Sequence, residues 1–161
     1  MLGFAAGDFQ FTLVNVHLYW ANAYLRALET QALGKWAASR VKKAHPPNND
    51  IVLLGDFNIP ASNLTDPFFK ILTKHGLRLP KHTTNLVGTN LAGDSDYDQI
   101  AFFPSRTKED FTDRMGVFDF DNALFPDLYD AADKAKQKRF FQYIRYYVAD
   151  HRPLWAEFRR R

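Results

Sequence analysis

Four short segments of this 161-residue chain carry ionisable or amide side chains at the end of an apolar run. The clearest runs from Ile51 to Pro60, where an apolar stretch leads into Asp56 and Asn58. Catalytic groups are often found at strand ends, where a rigid sheet positions them. We therefore examine four segments as parts of one candidate site: Val16-His17-Leu18, Gly55-Asp56-Phe57-Asn58, Tyr97-Asp98-Gln99-Ile100 and Ala149-Asp150-His151-Arg152.

Asp56 and Asn58 are two residues apart, which on an extended chain puts both side chains on the same face. A carboxylate and an amide placed in this way could hold a hard cation or orient a water molecule against a phosphate. Gly55 would allow a close approach of backbone or ligand. Gly, Asp, Asn and Pro also form turns, so composition alone leaves a turn and a site equally open.

Two histidines extend the candidate site. His151 could donate to a phosphoryl oxygen or protonate a leaving group, and Asp98 is the candidate carboxylate that keeps it charged and oriented. His17 ends a strand rich in β-branched residues and could make a second contact to phosphate. Taken alone, His17 is better explained as a structural residue, and His151 as a surface histidine beside Asp150.

The four segments, in this order, resemble those of the endonuclease/exonuclease/phosphatase superfamily, which has the DNase I-like fold. The resemblance extends from about Phe11 to Phe158. Members of this family are phosphodiesterases and phosphomonoesterases that usually depend on Mg²⁺. The resemblance therefore implies a metal-dependent phosphoester hydrolase, of the phosphodiesterase or nuclease type, with Mg²⁺ or Mn²⁺ as cofactor.

The resemblance implies a role for each residue. Asp56 would orient or deprotonate the attacking water or contact the metal, and Asn58 would contact the scissile phosphate or the metal. Asp150 would be a metal ligand or a carboxylate that orients water. His151 would stabilise the transition state or assist the leaving group.

Two further roles come from the same comparison. Asp98 would hold the ring of His151, and His17 would bind the phosphate on the opposite side. The implied catalytic set is thus His17, Asp56, Asn58, Asp98 and His151, the phosphate-binding set is His17, Asn58 and His151, and the metal set is Asp56, Asn58 and Asp150.

The sequence departs from the family pattern at its start. Family members have an N-terminal half with a strand Asn and a Glu that is the principal metal ligand, whereas His17 follows only sixteen residues here. The resemblance therefore implies that residues 1–161 form a single, incomplete domain. Its inner sheet face would be covered by a missing N-terminal half, by a homodimer partner or by the second chain of a split enzyme; otherwise the chain would fold alone and be a weak catalyst.

The expected fold class is α/β (α+β), with a mixed, largely antiparallel sheet and helices on one face, half of a four-layer DNase I-like β-sandwich. Hydrophobic periodicity supports this mixture. It predicts strands at Phe9–His17, Ile51–Leu54, Tyr97–Phe103 and Leu154–Phe158, and a less clear strand through Val117. It predicts helices at Ala23–Lys43, Asp66–Gly76 and Asp130–Tyr147.

Charge is unevenly distributed along the chain. From Lys134 to Arg161 there are nine basic and two acidic residues, a balance of +7, against −4 for the remainder. A basic segment suits a polyanionic substrate such as DNA or RNA, but a solvated helix face and a basic tail explain it slightly better. A non-catalytic module that binds nucleic acid or phosphate is therefore the alternative function.

Location and substrate are less constrained. The chain has no Cys, no signal-peptide pattern and no apolar run long enough to span a membrane, so we expect a cytoplasmic protein. Nucleic acid, phospholipid and small phosphoesters all remain open as substrates, because fold does not fix function.

Overall fold

The secondary structure alternates between strands and helices, as the periodicity predicts. A computed structural model describes residues 1–43, 50–59, 66–81, 87–128 and 133–160. Within them the elements are β1 (Leu2–Ala6), β2 (Phe9–His17), α1 (Ala23–Lys43), β3 (Asp50–Asp56), α2 (Pro67–Lys74), β4 (Asp98–Phe102), α3 (Pro104–Thr107), β5 (Phe111–Val117), α4 (Phe120–Leu124), α5 (Lys134–Tyr147) and β6 (Leu154–Phe158).

The main sheet has the strand order β1-β2-β3-β4. Strands β2 and β3 are parallel and are connected by a segment that contains α1, whereas β1 and β4 run antiparallel to their neighbours. A parallel pair needs a long crossover, which α1 provides. Strands β5 and β6 form a separate antiparallel ribbon.

One face of the main sheet packs against helices α1 and α2. The alternate residues Val14 and Val16 of β2 and Leu53 of β3 point into this core, where they meet Ala37 of α1 and Phe69 of α2. All five are buried. The predicted mixed sheet with helices on one face is therefore confirmed.

The opposite face of the sheet packs against the β5-β6 ribbon. Val52, Ile100 and Phe102 are buried on this face, and they pack with Phe111 and Leu154 of the β5-β6 ribbon. The alternation of apolar residues in β6 gives the ribbon an apolar side that can cover the sheet. A cavity of about 490 Å³ between the two layers shows that this cover is looser than an ordinary protein interior.

Local sequence signals account for the helix ends. The Asn22 side chain caps α1 by accepting the N–H groups of Tyr24 and Leu25, at 2.9 and 3.1 Å. Asp66 caps α2 by accepting the N–H of Phe68. Asn and Asp are among the residue types that are preferred at this position.

Some elements differ from the expectation. Strand β1 and the short helices α3 and α4 were not predicted, and β5 is longer than the strand expected around Val117. Helix α5 begins at Lys134, after the cap residue Asp133, whose side chain accepts two helix N–H groups. The predicted start at Asp130 lies outside the described residues. No helix in the described ranges is long and apolar enough to cross a membrane.

Candidate active site

Strand pairing brings three predicted site residues side by side. In the register of the sheet, His17 at the end of β2 lies opposite Asp56 at the end of β3, and Asp56 lies opposite Asp98 at the start of β4. The carboxyl ends of β2 and β3 and the amino end of the antiparallel β4 meet at one edge, so these side chains share it.

His151 joins this edge from the segment between α5 and β6. Its Nδ1 atom lies 2.8 Å from Asp98 Oδ2 and 3.9 Å from Asp56 Oδ2. The Tyr97 ring stacks on the imidazole, with 5.6 Å between ring centroids. The structure thus brings the predicted partner Asp98 together with His151, and the Tyr97 ring further limits the orientation of the imidazole.

His17 is held more loosely. Its Nε2 atom lies 3.7 Å from Asp56 Oδ2, and its side chain is 74% exposed. An exposed ion pair of this length contributes little to stability. The side chain can therefore reorient toward a ligand at small energetic cost.

The environment shifts two pKa values in the same direction. Burial raises the pKa of Asp56, and the nearby charge of Asp98 adds to this, although the N–H of Asn58 and the His151 charge act against it. The close Asp98 carboxylate raises the pKa of His151 above its ordinary range, and it outweighs the opposite effect of burial. The two carboxylates therefore favour the charged form of His151.

Asn58 reaches the site in a different way from the one predicted. It has a positive φ of 52° and lies beyond the end of β3, so Asp56 and Asn58 do not share the face of an extended strand. The Asn58 backbone N–H instead donates to Asp56 Oδ1 at 2.7 Å, and its side-chain amide donates to the Leu18 carbonyl at 2.7 Å. The segment is a turn that also fixes the Asp56 carboxylate.

Gly55 allows this close strand pairing. It has a φ of +129°, and a Cβ atom there would lie 2.2 Å from the Val16 carbonyl oxygen. Only glycine fits such a backbone conformation and such a close approach. The sequence-based interpretation of Gly55 as a point of close approach agrees with this geometry.

The predicted metal ligands do not form a complete metal site in the described residues. No group of three or more His, Asp or Glu side chains in these ranges is placed to hold a cation. The backbone N–H of Asn58 donates a hydrogen bond to Asp56 Oδ1, and Asp150 is exposed. The described residues therefore do not fit a magnesium ion by themselves.

A buried ion pair beneath the site was not predicted. Arg152 donates from Nε and Nη2 to both carboxylate oxygens of Asp121, at 2.7 and 2.6 Å, and both side chains are buried. The same guanidinium donates to the carbonyls of Asn90 and Leu91. Arg152 thus fixes the 90–91 loop directly behind its neighbour His151.

Thr89 connects this loop to the catalytic edge. Its carbonyl accepts the Arg152 backbone N–H at 2.6 Å, and its hydroxyl oxygen accepts the Asp98 N–H at 3.0 Å. Arg152 adjoins His151 in the sequence, which is a weak signal for its role. The Thr89 contact has no sequence signal because it depends on the tertiary fold.

Comparison with known proteins identifies the fold. No protein-family model and no curated protein sequence matches this chain. Among solved structures, the chain is similar to a mannosyl-6-phosphatase from Bacteroides thetaiotaomicron (20% identity, TM-score 0.58), with 94% of this chain and 52% of that one covered. It is also similar to an endonuclease/exonuclease/phosphatase family protein from the same organism (19% identity, TM-score 0.55, 93% and 49% covered).

Two further structures extend the comparison. The chain is similar to a 3′ phosphatase from Neisseria bound to a product DNA hairpin (18% identity, TM-score 0.59), with 98% of this chain and 63% of that one covered. A Staphylococcus aureus beta toxin with bound magnesium ions is similar at 14% identity and a TM-score of 0.51, with 93% and 53% covered. The chain thus spans about half the length of most of these proteins, and it has the fold of endonuclease/exonuclease/phosphatase family proteins.

Proposed function

We propose that this chain carries part of the catalytic site of a phosphoester hydrolase. The observation that carries the proposal is the convergence of Asp56, Asp98 and His151 at one sheet edge. His151 Nδ1 lies 2.8 Å from Asp98 Oδ2 and 3.9 Å from Asp56 Oδ2. A charged imidazole held between carboxylates suits a reaction in which negative charge develops on phosphoryl oxygens. Phosphatases among the proteins of similar fold support the same class of reaction.

His151 would act as the donor. Asp98 holds Nδ1, which leaves the Nε2 N–H of the charged ring to meet a phosphoryl oxygen or the leaving group. As the bond from phosphorus to the leaving oxygen breaks, that oxygen would take the Nε2 proton. The Asp98 carboxylate would stabilise the charged ring before this transfer.

Asp56 would act on the attacking water. A raised pKa makes its carboxylate a stronger base, and the Asn58 N–H fixes the orientation of the carboxylate through Oδ1. The water oxygen would form the new bond to phosphorus while Asp56 takes the water proton. His17, which lies 3.7 Å from Asp56 Oδ2, would reorient to contact the phosphate.

The requirement for Mg²⁺ or Mn²⁺ remains a prediction from the family resemblance. The described residues do not complete such a site, so none of the steps above depends on a metal. A missing half or a second chain that supplies a further carboxylate would complete it. Hydrolysis measured in Mg²⁺, in Mn²⁺ and in EDTA tests the requirement directly.

The test of the proposed function is hydrolysis of an aryl phosphate monoester, an aryl phosphate diester and a DNA oligonucleotide. His151→Ala and Asp56→Asn should each lower kcat by more than ~10²-fold, the scale for one acid, base or preorganised donor. Asp8→Asn removes an exposed carboxylate from the β1-β2 turn and is the matched control. Unchanged hydrolysis in both site variants would contradict the proposal.

The pH profile provides a second measurement. Activity should rise as Asp56 loses its proton and fall as His151 loses its proton, at a pH above the ordinary histidine pKa of about 6.5. A profile without the alkaline fall would remove His151 as the donor.

A non-catalytic phosphate-binding module is the second candidate. It is favoured by the incomplete metal site among the described residues and by the basic helix α5. Salt-dependent binding of an oligonucleotide without hydrolysis in any metal would select this alternative.

A further inference from the structure

Helix α5 is unusually basic and aromatic. Its fourteen residues, Lys134–Tyr147, include five Lys or Arg, three Tyr and no acidic residue. The basic side chains are all exposed: Lys134, Lys136, Lys138, Arg139 and Arg145. Lys136 pairs with the carboxylate of the cap residue Asp133, at 3.7 Å.

The helix is anchored through its other face. Phe140 and Ile144 are buried in a small core with Leu91 and Phe120. This confirms the sequence-based preference for a helix with an apolar side toward the core. It also shows that the tyrosines do not belong to that side, since Tyr143, Tyr146 and Tyr147 are 50%, 81% and 68% exposed.

The three exposed tyrosines and two of the five cations form a stripe along the helix. Lys136, Arg139, Tyr143 and Tyr146 follow at spacings of three, four and three, which places them on one side of an α-helix. Tyr147 adjoins them, with its ring centroid 4.8 Å from that of Tyr143. From Lys136 to Tyr147 the stripe is about 16 Å long.

We propose that this stripe binds single-stranded nucleic acid. Cations that follow a phosphate backbone, combined with aromatic rings on which bases stack, are the features that such binding needs. A duplex would not use the tyrosines, because its bases are already stacked on one another. The stripe is thus a surface for single strands rather than for duplexes.

An anionic membrane is a less suitable partner. A helix that lies in a membrane interface buries large apolar side chains such as Trp, Phe or Leu. The exposed side of α5 carries tyrosines, each with a polar hydroxyl, among its cations.

The stripe leads toward the candidate active site. Tyr147 is four residues before His151, so the two are at most about 14 Å apart along the chain. A strand bound on the tyrosines would have a phosphate within reach of His151. Only this step from binding to hydrolysis rests on the proposed function; the binding itself does not.

The experiment measures binding without turnover. Fluorescence anisotropy of labelled oligo-dT and oligo-rU is recorded with the full chain in EDTA, between 50 and 200 mM salt. Tyr143→Ala/Tyr146→Ala should weaken binding by at least ~10-fold, because stacking accounts for most of the affinity that is independent of charge. Lys136→Gln/Arg139→Gln should lower the salt slope by about 1.4, as expected for two lost cations on a single strand.

Matched substitutions on α1 are the controls. Tyr24→Ala removes a tyrosine that is 70% exposed, and Lys42→Gln/Lys43→Gln removes two exposed cations. Equal losses in the α1 and α5 variants, or no oligonucleotide binding at 50 mM salt, would overturn the proposal. Preferential binding to vesicles of anionic lipid, with the oligonucleotides unbound, would overturn it in favour of a membrane.

Failure of this proposal can be distinguished from failure of the proposed function. His151→Ala should abolish hydrolysis, whereas Tyr143→Ala/Tyr146→Ala should weaken oligonucleotide binding in EDTA and leave hydrolysis of the aryl phosphates unchanged. An absence of oligonucleotide binding by the unsubstituted chain, with intact hydrolysis of aryl phosphates, would refute the binding surface alone. Intact stripe binding without hydrolysis in any metal would refute the catalytic role alone.

Discussion

Removing one partner of the buried pair of Arg152 and Asp121 should destabilise the fold strongly. Arg152→Met leaves the Asp121 carboxylate buried without its cation, and it also removes the donors that bind the carbonyls of Asn90 and Leu91. Breaking a buried ion pair from one side costs about 3–5 kcal/mol, because the remaining charge is uncompensated. Typical domains have only ~5–15 kcal/mol of stability in total, so the loss will be prominent.

The contribution of this pair depends on pH in a defined direction. Burial alone would raise the pKa of Asp121, but the hydrogen bond from Arg152, a hydrogen bond from Asp119 and the Arg152 charge together outweigh it and hold the pKa below its ordinary range. A lowered folded-state pKa gives stability that is fully present above the ordinary Asp pKa of about 3.9. This stability is lost as pH falls through the lowered value.

The assay is urea unfolding followed by tryptophan fluorescence at pH 7. Glu157→Gln is the matched control, because Glu157 pairs with Arg114 at 2.9 Å on the surface, where such pairs contribute at most ~1 kcal/mol. Arg152→Lys keeps the charge but not the two-oxygen contact, so its loss in free energy of unfolding should exceed that of Glu157→Gln and be smaller than ~3–5 kcal/mol. This variant tests the reasoning if Arg152→Met does not fold. Equal losses for Arg152→Lys and Glu157→Gln would refute the reasoning.

Two further predictions concern the site edge. Asp98→Asn should lower the pKa of His151, measured by NMR titration of its ring, because the remaining burial opposes the charged form; Asp150→Asn, which removes a smaller contribution, should lower it less. Gly55→Ala should lower the free energy of unfolding by at least ~2 kcal/mol, because of its positive φ and the carbonyl oxygen 2.2 Å from the new Cβ. Gly3 has open space around it, so Gly3→Ala should change the free energy of unfolding by less than ~0.5 kcal/mol. Similar losses in the two variants would contradict the strand geometry.

Periodicity was sufficient to predict the elements that carry most of the site. Strands β2 and β6 have the bounds that the sequence predicts, since each has a regular apolar pattern. Helix α1 also has its predicted bounds, although its buried side includes Thr30 and Gly34 rather than a regular apolar pattern. Strand β1 was missed because Leu2–Ala6 is short and exposed on every residue, so it shows no alternation of buried and solvated positions. It forms because the antiparallel partner β2 is next to it in sequence.

The fold was predicted from the order of four sequence segments, and no single segment was sufficient for the prediction. Neither Asp56 nor His151 alone distinguishes a site from a turn or a surface histidine. The sequence did not show that the β5-β6 ribbon packs on the inner sheet face, because that contact depends on the tertiary fold; a missing half or a second chain at this face stays a prediction. The extended spacing assumed for Asn58 failed because its positive φ turns the chain.

The site therefore depends on two supports of different kinds. Pairing of β2, β3 and β4 places Asp56 and Asp98, and this placement needs only the sheet register. His151 lies outside the sheet, and its position depends on the neighbouring Arg152, which is bound to Asp121 and to the 90–91 loop. A misplacement of about 1 Å can cost ~10²-fold in rate. Loosening the Arg152 contacts should consequently lower kcat through His151 while the two strand-end carboxylates remain in place.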